Sequence, residues 1–79
     1  MTGNELWHLQ VQQQLNKKEN QGMHYKQAEI EVFRILYDRM RNDNMKVIEI
    51  EAHFLDTFDI KHAAFYRRLK KAGEGRVLL

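Results

Sequence analysis

Apolar residues recur along this chain mostly at spacings of three and four, the mark of helices that bury one side. Over 24–41, Val32, Phe33, Leu36 and Met40 share a face, Ile30 and Tyr37 widen it, and Ile35 lies off it. That segment predicts the strongest helix, and Arg39 and Arg41 near its end suit the negative pole of the helix dipole. Over 5–16, Leu6, Trp7, Val11 and Leu15 keep a weaker stripe beside the polar run Gln12-Gln13-Gln14. Residues 17–22 are polar, with Asn20 and Gly22 as turn formers, and read as a linker.

Residues 45–58 carry two patterns at once. Val47, Ile48, Ala52, Leu55 and Phe58 fit a helix, whereas Ile48, Ile50, Ala52 and Phe54 alternate with Glu49, Glu51 and His53 as in a strand. The length of the segment favours a helix. So does the preceding Asn42-Asp43-Asn44, which stops one helix and offers Asp43 or Asn44 as a cap for the next. Asp59 is expected to cap a last helix over 60–72, with Gly73 closing it in a left-handed conformation. Proline is absent, which also favours helices. The expected fold is therefore all-α, a bundle of three to four helices with a helix-turn-helix over about 45–73. The chain divides into an N-terminal helix and linker at 1–22, a helical core at 23–73 and a short tail at 74–79.

Composition narrows the function. Seventy-nine residues make one small domain with a thin core, so a homodimer is expected. Cysteine and serine are both missing, which excludes disulfides and nucleophilic catalysis by either residue. The four histidines (His8, His24, His53, His62) are not paired at ligand spacing, and Glu49, Glu51, Asp56 and Asp59 suit a solvated face better than a catalytic pocket. We expect no enzyme activity, no metal and no cofactor. The longest uninterrupted apolar run is four residues, 63–66, too short for a membrane span. The first residues lack a signal-peptide pattern, so the cytoplasm is the default location.

Charge then changes the picture. Residues 61–76 hold six basic side chains (Lys61, Arg67, Arg68, Lys70, Lys71, Arg76) and one acid, Glu74, whereas 1–60 hold seven basic and ten acidic groups. A small overall charge of +2 thus hides a polarised molecule. At 100° per residue with Leu69 as reference, Phe65, Ala72, His62 and Tyr66 turn inward. Ala63, Arg67 and Lys71 turn outward, flanked by Lys70, Ala64 and Arg68. Cations around small residues at a helix N-terminus fit a major groove, where alanine permits close approach and contact with thymine methyls.

The run Ile60-Lys61-His62-Ala63-Ala64-Phe65-Tyr66-Arg67-Arg68-Leu69-Lys70-Lys71-Ala72-Gly73 resembles the recognition helix of the Fis-type helix-turn-helix. Ile60, Phe65, Arg67, Arg68, Leu69, Lys70, Lys71 and Gly73 carry the likeness, which spans 54–73. Phe54 and Leu55 are larger than the small pair usual in that family's preceding helix. The resemblance implies base-facing positions for His62 and Ala64, and backbone or base contacts for Arg67 and Arg68. The expected interface with double-stranded DNA is Lys61, His62, Ala63, Ala64, Arg67, Arg68, Lys70 and Lys71, in a small repressor-like regulator. The alternatives are a helical module whose basic helix docks an acidic protein, and an RNA-binding helix. Trp7 or the tail Val77-Leu78-Leu79 could serve a protein partner, although Trp7 on its own core is the simpler reading.

Overall fold

The computed structural model describes residues 2–74, and they form four α-helices without a strand. Helix α1 (Gly3–Leu15) is followed by a single 3-10 turn (Lys18–Asn20), then α2 (Tyr25–Asn42), α3 (Val47–Phe58) and α4 (His62–Glu74). Helix α1 packs on α2 and α3, and α4 packs on α2 and α3. The all-helical bundle therefore holds. Among the described residues no helix is long and apolar enough to cross a membrane.

Each junction is made by specific polar groups. Thr2 caps α1 by accepting the Glu5 backbone N–H at 3.2 Å. The Asn20 amide donates to the Gln14 carbonyl at 2.8 Å and so closes the other end of α1. The chain then turns through Gly22 at φ 84°, a backbone state that glycine adopts without penalty.

The asparagine-rich break stops α2 as expected but does not serve the next helix. Met45 N–H bonds the Met40 carbonyl at 3.1 Å, and Asn44 N–H bonds the Arg41 carbonyl at 3.0 Å. With Asn44 at φ 66°, this is a complete Schellman closure. The start of α3 moves to Lys46, whose N–H donates to the Glu49 carboxylate at 2.8 Å. Asp59 likewise closes α3 instead of opening α4. It sits at φ 56° and its N–H bonds the Leu55 carbonyl at 3.0 Å. The last helix then begins at His62, with the Lys61 carbonyl accepting its first bond from Phe65. Gly73 lies within α4 and does not take the left-handed conformation expected of it.

The centre of the bundle is aromatic. Phe33, Phe54 and Phe65, from α2, α3 and α4, are fully buried. Phe54 stacks on Phe33 at 4.9 Å between centroids and lies 5.6 Å from Phe65. Trp7 of α1 meets the edges of Phe54 at 6.3 Å and Phe58 at 5.2 Å. Val11, Ala28 and Ile50 are fully buried around these rings.

At the start of α1 the backbones come close. A Cβ on Gly3 would lie 2.7 Å from the Phe58 carbonyl carbon and 2.8 Å from the Asp59 nitrogen. Gly3→Ala should therefore destabilise the fold by about 1–3 kcal/mol, an overpacking cost larger than the helix propensity it gains. Urea unfolding measures this, and an unchanged midpoint would mean that α1 can slide off the turn at no cost.

Candidate nucleic-acid interface

Helices α3 and α4 are joined by only three residues, 59–61. Ile60 in that connection is buried and pins it to the core. The basic helix is thus held as the second member of a tight pair.

Its orientation differs from the angular expectation. Phe65 and Ala72 are buried as expected, and Leu69 is half-buried. His62 and Tyr66, however, face outward, and the His62 side chain is 77% exposed. Arg68 instead turns toward the core, with a side chain only 20% exposed. The whole helix is rolled toward Arg68. The cause is a group on α1 and α2. One Glu29 carboxylate oxygen accepts from the Trp7 indole N–H at 2.9 Å and from Arg68 at 3.3 Å. The Arg68 guanidinium also lies over the Trp7 ring at 5.3 Å, a cation–π contact.

The other expected residues fall into two sets. Ala63, Arg67, Lys70 and Lys71 are exposed on α4, Lys61 is exposed in the junction before it, and Ala64 is half-buried. Lys26 of α2 joins them, which the sequence did not suggest. A groove of about 540 Å³ between α2 and α4 is lined by Lys26, Glu29, Ile30, Arg67, Arg68 and Lys71. Four cations thus face one carboxylate that is already engaged. Anions are favoured there by simple Coulomb attraction.

Two carboxylates set the flanks of α4. Glu51 of α3 is within 2.5 Å of His62 Nδ1 and accepts from the Tyr66 hydroxyl at 3.2 Å. Burial, and then the Glu51 charge, raise the Tyr66 pKa above its ordinary value. On the far side, Tyr25 stacks on His8 at 5.3 Å, with its hydroxyl 2.9 Å from His8 Nδ1. Burial and Glu29 raise the Tyr25 pKa while Arg68 opposes them.

No family model, curated protein or solved structure matches the chain.

The geometry therefore stands by itself. It brings Arg67 and Lys71 together with Lys26 in one groove, leaves Lys61, Ala63 and Lys70 exposed, keeps His62 at the rim on Glu51, and turns Arg68 toward Glu29 and Trp7. The inward turn of Arg68 had no local signal, because its partners lie 39 residues away at Glu29 and further still at Trp7.

Proposed function

We propose that this chain binds double-stranded DNA as a small helix-turn-helix regulator, with α4 entering the major groove. The observation that carries this reading is the exposed cationic side of α4, placed directly after a three-residue junction. The likeness of 54–73 to a Fis-type recognition helix supports it. In this reading Ala63, near the helix N-terminus, approaches the base edges, and His62 reaches them from the rim. Arg67, Lys70, Lys71 and Lys61 neutralise phosphates, and Lys26 meets the backbone across the groove. Arg68 contributes by holding α4 in place through Glu29 and Trp7. Two copies would read half-sites about 34 Å apart, the rise of one duplex turn.

The test is binding to random-sequence duplex DNA at about 50 and 200 mM salt, where phosphate contacts show as a steep loss of affinity. Arg67→Ala should weaken binding and lower the salt slope by about one unit. Failure to bind at the lower salt would overturn the proposal, and an unchanged slope would remove Arg67 from the interface.

A further inference from the structure

Helix α3 is apolar on two sides, and only one of them is covered. Ile50, Phe54 and Phe58 enter the core. Ile48, Ala52 and Leu55 lie on a separate face, at positions i, i+4 and i+7, and all three are exposed. Ile48 is 71% and Leu55 45% exposed, the two most exposed large apolar side chains of the described residues. A stripe of this spacing is what a helix offers to another helix.

The charges beside the stripe decide what covers it. Glu49 and Asp56 lie exposed along one edge; on the other, Glu51 is largely covered and held by His62 and Tyr66 of α4. An antiparallel pairing of two α3 helices would set Glu49 against Asp56 of the second copy and Glu51 against Glu51. A parallel pairing would set Glu51 against Asp56. Both arrangements oppose like charges, which specific helix pairs avoid. A partner with apolar residues in the seam and lysine or arginine facing the Glu49–Asp56 edge meets no such penalty. Such a partner gains both the burial of Ile48 and Leu55 and the attraction of the carboxylates.

We infer that the outer face of α3 is a docking surface for a basic amphipathic helix of another protein. The stripe and its Glu49–Asp56 edge lie away from the cationic side of α4, so the inference does not depend on DNA binding. A regulator built this way would hold its protein partner on α3 while α4 stays available.

The probe is a labelled helical peptide of about 18 residues, five turns, with leucine at the seam positions and lysine on the flanks. Fluorescence anisotropy should show saturable binding. Ile48→Glu and Leu55→Glu should each weaken it about ten-fold or more, with thermal melting unchanged because both residues are exposed. The charge reversal Asp56→Lys, which leaves the Glu49 cap of α3 intact, should weaken binding of the lysine peptide and strengthen binding of a peptide with glutamate flanks. A peptide that keeps its lysines but carries glutamine in the seam should not bind. Three results would overturn the inference. One is no binding by the wild type. Another is equal binding by Ile48→Glu and the wild type. The third is a wild-type oligomer in sedimentation that Ile48→Glu turns into monomer, since the stripe would then belong to a second copy. Duplex DNA binding by Ile48→Glu, measured in parallel, keeps the two proposals separable.

Discussion

Phe54→Ala should remove about 3–5 kcal/mol of stability, the usual cost of emptying a buried phenylalanine site. At ordinary stabilities of about 0.05–0.15 kcal/mol per residue, a domain of this size holds only about 4–12 kcal/mol in total. The substitution therefore takes from about a quarter to all of it. Phe54 is the point where rings from all four helices meet: Trp7, Phe33, Phe58 and Phe65 each lie within 6.3 Å between centroids. Its side chain is fully buried, and alanine would leave a hole bounded by stiff rings that collapse poorly. Far-ultraviolet circular dichroism in a urea titration gives the loss directly. A loss under about 1 kcal/mol would mean that the aromatic centre is not the source of stability.

Trp7→Ala should be nearly as costly, again about 3–5 kcal/mol. The reason is different. Trp7 touches α3 through Phe54 and Phe58, α2 through Glu29, and α4 through Arg68. Removing it detaches α1 from three neighbours at once. Trp7→Phe separates the contributions. It keeps a ring against Phe58 and loses the indole donor with a smaller share of the packing, while Glu29 retains Arg68. That variant should lose roughly 1–3 kcal/mol, the range for a bond to a charged acceptor. Equal losses in the two variants would show that the hydrogen bond outweighs the packing.

Much of the architecture was legible in the sequence because helix signals are local. The stripe of Val32, Phe33, Leu36 and Met40 placed α2 to within one residue at each end. Trp7 and Val11 were rightly expected to face inward, and both are buried. Helix α3 was harder. Its two apolar faces interleave along the chain, so Ile48, Ile50, Ala52 and Phe54 imitate the alternation of a strand. Of the helical stripe read from the sequence, Phe58 is buried and Val47 packs against the core, but Ile48, Ala52 and Leu55 are uncovered. Phe54 and Phe58 bring more apolar area to the core than Ile48 and Ala52 would, and burial follows area.

The caps show a second limit. Asparagine and aspartate stabilise both the start and the finish of a helix, so Asn44 and Asp59 mark a junction without saying which helix they serve. The site was partly legible. The basic side of α4 follows from spacing alone, but its roll does not. Arg68 is drawn inward by Glu29 and Trp7, contacts that close only when α1 and α2 are in place. Lys26 enters the groove for the same reason.

The contact between Trp7 and Arg68 has an optical consequence. Trp7 is the single tryptophan of the chain, so all indole emission comes from one place beneath α4. A guanidinium over the ring and a carboxylate at its N–H set the local field that fixes the emission wavelength. Any ligand that draws α4 outward must lift Arg68 from the ring and change that colour. The molecule thus carries an intrinsic fluorescent gauge of its own basic helix, readable without a label.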